Sequence, residues 1–216
     1  MTISGPKSAR GQILTRLISG AVFGGAATMA FLALSGELGV DFSDPATMLA
    51  VMAGLSYGLI GLLVAVGAAA PRSGARFLNV EDADEIREER RNLGPAAAAC
   101  ILAGLFLLIL ALAPGIAASA GRQTLALLAM GCLAAMVAIS LATRGRADEL
   151  ARQISIEASA FTLHVAFVVL GVWATFAHLG YVGWTSPLGL IAGLALLELA
   201  AIFWFSAKKG LMTPRQ

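Results

Sequence analysis

Glu198 is the residue whose type and position in this sequence most readily suggest chemistry. It is the one charged residue of the apolar segment 187–206, and His164 lies in the preceding apolar segment, 159–179. A carboxylate facing lipid costs a few kcal/mol, so Glu198 is expected to face other helices. We predict a buried polar pair in which Glu198 and His164 share a hydrogen bond. Such a pair could act as a proton relay or cation site, or the carboxyl could be protonated and serve packing alone.

Segment 159–179 also carries a second histidine on the same face of the expected helix. The face is formed by four residues spaced seven, four and three apart: His164, Gly171, Thr175 and His178. The two histidines are the only ones in the chain and would stand about 21 Å apart along a helix, too far to share a metal or haem. Haem held by paired histidines within one chain is therefore excluded, and we expect no cofactor.

Sequence motifs for catalysis are missing. The chain contains no HExxH pair, no G-x-S-x-G elbow and no phosphate-binding loop. Cys100 and Cys132 both fall inside apolar segments, where a lone cysteine usually acts as a small packing residue. The net charge of +2 and the lack of a basic run interleaved with aromatic residues argue against nucleic-acid binding. We expect neither an enzyme nor a metal protein.

Composition indicates a membrane protein. Of the 216 residues, 58% are hydrophobic and 13% are charged, whereas a soluble domain carries about 25% charged residues. Apolar stretches of about 20 residues, the length that crosses a bilayer as a helix, occur six times, at 17–35, 47–70, 96–113, 123–143, 159–179 and 187–206. We predict an all-α polytopic membrane protein with six transmembrane helices, the first of them an uncleaved signal anchor.

The distribution of basic residues predicts the orientation. Fourteen of the fifteen Lys and Arg residues fall in the N-terminal tail, the second and fourth loops and the C-terminal tail, and Arg122 alone falls on the other side. Cytoplasmic segments carry the excess of Lys and Arg. Both termini are therefore predicted to be cytoplasmic.

A repeat suggests three tandem helical hairpins. The stretches ADEI at 83–86 and ADEL at 147–150 stand 64 residues apart, and each precedes a pair of apolar segments. The predicted units form a single membrane domain and consist of hairpin 1 at 17–70, a charged cytoplasmic helix at 81–93, hairpin 2 at 96–143, and a juxtamembrane helix with hairpin 3 at 147–206. Gly94 and Pro95 are expected to separate the charged helix from hairpin 2. The helix that enters hairpin 3 is expected to run unbroken from about residue 148 to 176.

The charged stretches before the third and fifth spans could be solvated helix faces or docking surfaces for a partner. Their acidic starts and basic ends suit the helix dipole. The docking candidates are Asp84, Glu85, Arg87, Arg91, Asp148, Glu149 and Arg152.

Small residues at four-residue spacing predict close helix packing, either within the bundle or between subunits. The candidates are Gly20 and Gly24 in the first span, Gly54 and Gly58 in the second, and Gly189 and Gly193 in the sixth.

The sequence DELARQISIEA at 148–158 resembles a motif of known proteins. Its Asp148, Glu149, Leu150, Arg152, Ile154, Glu157 and Ala158 match the D-E-L-x-R-x-I-x-x-E-A opening of uncharacterised small proteobacterial inner-membrane proteins, where the motif introduces a two-helix hairpin. The resemblance covers residues 147–209. It implies a location in the bacterial inner membrane and no particular activity.

Two functions fit these features. The first is an accessory or scaffold protein that binds partner membrane proteins, or further copies of itself, within the bilayer. The second is a small oligomeric transporter or channel, proton-coupled through Glu198. The scarcity of polar residues in the spans favours the first.

Overall fold

The computed structural model describes residues 42–70, 83–145 and 148–211, together with seven single positions between 24 and 36. For residues 83–91 only the backbone is described. All regular secondary structure in these ranges is helical, which confirms the all-α prediction. Five described helices are long and apolar enough to cross a membrane. The predicted first span at 17–35 falls largely outside the described residues.

Five helices follow one another along the described chain. They are α1 (Pro45–Ala69), α2 (Ala83–Ala120), α3 (Arg122–Thr143), α4 (Glu149–His178) and α5 (Pro187–Lys208). Each covers one of the predicted spans from the second to the sixth, to within one residue at its end. As predicted, α4 runs unbroken through the charged stretch into the apolar one.

The predicted break at Gly94 and Pro95 is wrong, because α2 continues through both residues and then through Pro114. Proline disfavours the helical conformation of the residue before it, partly through a clash with that residue's Cβ. Gly94 has no Cβ, so this part of the clash is absent. The charged stretch and the third span are therefore one helix of 38 residues. The turn between α2 and α3 is the single residue Gly121, whose φ of 79° suits glycine.

Side-chain caps define where α1, α4 and α5 begin. The Asp44 carboxylate accepts hydrogen bonds from the Thr47 hydroxyl at 2.8 Å and from the backbone N–H groups of Thr47 and Ala46. These bonds, the Thr47 hydroxyl first, lower the pKa of Asp44 from its ordinary value. The cap is thus ionised at neutral pH and weakens only as the pH falls through the lowered value. Asp148 and Ser186 cap α4 and α5 in the same way.

The described helices pack in the order α3, α2, α1, α5, α4. Helix α1 packs against α2 and α5, while α3 and α4 pack mainly against α2 and α5 respectively. The closest approach, between α1 and α2, joins helices from two different predicted hairpins. Contacts of Ala46 with Gly189 and of Tyr57 with Ala195 show that α1 and α5 run parallel.

Small residues at seven-residue spacing form the α1–α2 contact. Gly54 and Gly61 of α1 lie against Gly104 and Ala97 of α2, and all four residues are buried. A Cβ added to Gly104 would stand 2.6 Å from the Gly54 carbonyl oxygen and 2.7 Å from the Gly58 nitrogen. The predicted packing role of Gly54 is therefore confirmed. Gly58 lies at the contact through its backbone alone, since no described atom lies within 4 Å of its Cβ position. The two helices run antiparallel with their backbones in contact.

The remaining predicted packing glycines have different outcomes. A Cβ on Gly189 would lie 3.3 Å from Ala46 Cβ, which places this residue at the α1–α5 contact. Gly193 is exposed, and no described atom lies within 4 Å of its Cβ position, so it makes no such contact. Gly24 likewise has no described neighbour there. Gly20 lies outside the described residues.

A small core lies where α1, α2 and α5 meet. Ala50, Ala111 and Ala192 are fully buried, and Val51 is 4% exposed. Four partly buried residues pack around them: Phe31, Phe42, Leu55 and Leu188. By contrast, many large apolar side chains of α3 and α4 are exposed, among them Leu127 at 74% and Phe167 at 79%. Such surfaces are compatible with lipid contact.

Candidate functional site

Glu198 lies at the α4–α5 contact and bonds to a serine. Its Oε1 accepts a hydrogen bond from the Ser159 hydroxyl at 2.9 Å. Glu198 is partly buried, whereas Ser159 is exposed at the edge of the contact. The prediction that this carboxyl faces another helix is confirmed.

The predicted hydrogen bond between Glu198 and His164 is wrong. The His164 Nδ1 lies 2.6 Å from the Ala160 carbonyl oxygen of its own helix, and the ring is exposed. The reason is helical geometry, since five residues separate Ser159 from His164 and turn the side chain by about 140°. Ser159 meets α5, and His164 therefore points away from it.

The rest of the predicted stripe shares the exposure of His164. Gly171, Thr175 and His178 are all exposed, and the Thr175 hydroxyl donates to the Gly171 carbonyl oxygen at 2.8 Å. The stripe is thus one continuous outward face of α4, as its spacing predicts. The Thr175 hydroxyl bonds within α4. None of the four residues makes a polar contact with another described helix.

Tyr57 extends the polar region from α5 to α1. Its hydroxyl donates to the Ala195 carbonyl oxygen at 3.0 Å, one helical turn before Glu198. The neighbouring Ser56 instead donates to the Met52 carbonyl oxygen of its own helix. Hydroxyl groups of α1 and α4 therefore both contact α5, within one helical turn of each other.

Thr162 carries a buried hydroxyl on the side of α4 that also carries Ser159. The residue is 8% exposed, and its Oγ1 is buried without a hydrogen-bond partner. Several other hydroxyls in the described spans, including those of Ser140 and Thr143, donate to carbonyl oxygens of their own helices. A buried polar atom without a partner costs about 1–3 kcal/mol, so it calls for a physical explanation.

The charged start of α4 is exposed on one face and anchored on the other. Glu149 and Arg152 are exposed, and Asp148 accepts the Ala151 N–H at 2.6 Å as the helix cap. Ile154, at 6% exposure, and Ala158 are buried on the opposite side. The candidates on α2, which are Asp84, Glu85, Arg87 and Arg91, lie on a helical backbone, but their side chains are outside the description.

An ion pair ties the charged part of α4 to the end of α5. Lys209 Nζ lies 3.1 Å from Glu157 Oε1. Nearby, the rings of Phe161 and Phe205 meet edge to face at 5.9 Å. These contacts show that α4 and α5 run antiparallel, as expected for the predicted hairpin 3.

The opposite end of α4 carries an apolar groove of about 330 Å³. Its lining consists of Val168, Val169, Val172, Trp173, Phe176 and Val182. Two contacts hold the adjoining loop: the Trp173 indole donates to the Gly183 carbonyl oxygen at 3.2 Å, and Phe176 packs edge to face on Tyr181. The groove has no polar group suited to chemistry, and lipid chains suit such a surface.

Sequence reasoning missed Ser159, Thr162, Gly61 and Gly104. The seven-residue spacing of Gly54 with Gly61, and of Ala97 with Gly104, was a signal for the packing residues that a search at four-residue spacing overlooks. The positions of Ser159 and Thr162, three residues apart on the face that also holds Ala158, Ala166 and Ile154, were the corresponding signal for the hydroxyls. Their partners depend on how α5 is rotated, which the sequence does not give.

Comparison with protein-family models, with curated proteins and with solved structures finds no match for this chain. The resemblance of residues 147–209 to proteobacterial inner-membrane hairpins therefore stays a prediction. Fold and site geometry define, over the described residues, an α-helical chain suited to the membrane in which α5 receives polar contacts from α1 and from α4.

Proposed function

We propose that this chain is an accessory or scaffold protein of the bacterial inner membrane, with six spans in three tandem hairpins and both termini in the cytoplasm. Its role is to bind partner membrane proteins. The supporting observation is the start of α4, where a regular helix continues beyond the apolar stretch and presents an exposed face. The resemblance at 147–209 agrees with the bacterial location.

The length of α4 exceeds what the bilayer requires. Its 30 residues span about 45 Å, against a hydrocarbon core of about 30 Å. The excess of about ten residues corresponds to the charged stretch that begins at Glu149. On this side the helix is held to the rest of the protein through Ile154, Ala158 and the Glu157–Lys209 pair.

The docking face consists of four exposed residues at the spacing of one helix face: Glu149, Arg152, Gln153 and Ile156. Ile156 is 56% exposed next to the charged residues. An apolar residue within a polar rim is the composition of many protein–protein contacts. The face is therefore suited to a partner that offers one apolar contact and complementary charges.

The orientation has support from the direction of the helices. Helices α1 and α5 run parallel, so the end of α1 that leads to Arg72 and Arg76 lies on the same side as Lys208 and Lys209. The Glu157–Lys209 pair places the start of α4 on that side too. This side carries the excess of basic residues and is the cytoplasmic one by the charge rule.

The orientation predicts which positions react with a membrane-impermeant maleimide in intact cells. In a background with Cys100→Ala and Cys132→Ala, Tyr181→Cys is expected to be labelled from outside, because Tyr181 is 74% exposed in the α4–α5 loop. Lys208→Cys, at the opposite end of α5, should be labelled only after the membrane is opened. The reverse pattern would contradict the proposed orientation.

The docking role is tested by site-specific photocrosslinking in cells. A photoreactive residue placed at Arg152 should give a discrete adduct with one other membrane protein, and native mass spectrometry after mild extraction should show the two in a fixed ratio. The matched control places the same residue at Leu127, which is 74% exposed on α3. Adducts of equal yield and pattern at both positions, or no adduct at Arg152, would contradict docking through this face.

The polar region around Glu198 favours the second candidate function, transport through an oligomer. A carboxyl group bonded within membrane-spanning helices is a common element of ion pathways. Purified protein that forms a homo-oligomer alone and mediates proton flux in liposomes, with the flux lost in Glu198→Gln, would favour transport over the accessory role.

A further inference from the structure

The Glu198 carboxylate has no positive partner among the described residues. Lys209, eleven residues beyond Glu198, is engaged by Glu157, and the His164 ring points away toward Ala160. The contact that Glu198 does make, from Ser159, is a neutral hydroxyl. A carboxylate in a poorly hydrated setting is strongly stabilised by one compensating positive charge.

Two hydroxyl oxygens lie on the face of α4 that meets α5. The Ser159 hydroxyl directs its hydrogen to Glu198, so the lone pairs of its oxygen are left for another partner. Thr162 lies three residues further along the same face, and its buried Oγ1 has no partner at all. A buried oxygen without a protein partner calls for a physical explanation, and a bound ion supplies one.

The chemistry of these groups selects the ligand. Carboxylate and hydroxyl oxygens are hard donors, which suit hard cations. One carboxylate balances one positive charge, and no cluster of three or more His, Cys, Asp or Glu side chains occurs among the described residues to balance more. A bare proton would need only the carboxyl itself, whereas the two additional oxygens suit an ion with several ligands.

We propose that Glu198, Ser159 and Thr162 form a binding site for a single monovalent hard cation, Na⁺, between α4 and α5. The cation neutralises the carboxylate and satisfies the Thr162 oxygen, and it links the two helices. The site is independent of the accessory role and does not require transport.

The proposal is tested by the thermal stability of the purified full-length protein in detergent, in NaCl and in choline chloride of equal ionic strength. A ligand that binds the folded state raises its stability in proportion to the logarithm of its concentration. The wild-type midpoint of unfolding should therefore rise with NaCl and stay constant in choline chloride. Glu198→Gln, whose amide oxygen still accepts from Ser159, should lose the rise.

The hydroxyl ligands are tested in the same assay. Thr162→Ala and Ser159→Ala should weaken the apparent Na⁺ affinity by about tenfold or more, as the loss of even an outer-shell partner does in metal sites. Ser140→Ala is the matched control, because that hydroxyl bonds to Met136 of its own helix. Its Na⁺ response should equal that of the wild type.

A readout on the wild type alone guards against variants that fail to fold. A hydrophobic carbodiimide should modify Glu198 in choline chloride, and NaCl should protect it, as measured by peptide mass spectrometry. The proposal fails if NaCl gives no stabilisation or protection beyond choline chloride, if Glu198 is unreactive in both salts, or if the Na⁺ response persists in Glu198→Gln.

Discussion

Gly104→Ala is expected to destabilise the protein, although alanine is the better helix former. The added Cβ would stand 2.6 Å from the Gly54 carbonyl oxygen and 2.7 Å from the Gly58 nitrogen. Both neighbours are backbone atoms, which move only if α1 and α2 separate. Overpacking of this kind costs about 1–3 kcal/mol, and separation also weakens the dispersion contacts along the whole interface.

The matched control for this glycine is Gly131→Ala on α3. Gly131 is exposed, and no described atom lies within 4 Å of its Cβ position. There the substitution should leave stability unchanged or raise it by up to about 1 kcal/mol through helix propensity. Unfolding in mixed micelles with increasing denaturing detergent measures both variants. Equal stability of Gly104→Ala and Gly131→Ala would show that the α1–α2 backbones are not in contact.

Ala192→Leu is expected to separate α5 from α1. Ala192 is fully buried in the core with Ala50, Val51 and Ala111, so a larger side chain has no space unless the helices move. A cost of about 1–3 kcal/mol is expected. Because the α1–α5 contact connects the α4–α5 pair with the rest of the described helices, the damage should be seen at that contact first.

A disulfide reports this separation directly. The Cβ position of Gly189 lies 3.3 Å from Ala46 Cβ, near the range that a disulfide requires. Ala46→Cys with Gly189→Cys, in a background with Cys100→Ala and Cys132→Ala, should crosslink on mild oxidation. Adding Ala192→Leu should reduce the yield several-fold.

The control for Ala192→Leu is Ala200→Leu, the same change at an exposed position of the same helix. It should leave the crosslink and the stability unchanged, since its side chain enters space open to lipid. If both variants crosslink as the parent does, α5 does not pack against α1 through Ala192.

Local sequence determined which segments become helices. The apolar stretches of about 20 residues can satisfy their backbone groups in lipid only as helices, and the caps at Asp44, Asp148 and Ser186 mark helix starts through side chains next to them in the chain. The continuity of α4 followed from the absence of Gly and Pro between Asp148 and the apolar stretch that begins at residue 159. The continuity of α2 did not, because proline after glycine is compatible with either outcome.

The packing of the helices was only partly accessible from the sequence. Gly54 was correctly predicted to lie at a contact, but its spacing from Gly58 did not reveal that the neighbour would be Gly104 of α2. Gly193 shows the opposite case. Its spacing from Gly189 predicted a packing contact, but the residue is exposed. A stripe of small residues permits close approach without specifying the helix that approaches.

Glu198 shows most clearly what the sequence determines and what the tertiary structure determines. The sequence alone determined that a carboxyl in an apolar span would turn toward other helices, because the cost of facing lipid is a property of the residue and its depth. Only the tertiary structure decided that its partner is Ser159 and that His164 points away. That choice depends on the rotation of α4 relative to α5, which the buried ridge from Ile154 to Ala166 sets by packing, and no single helix contains this information.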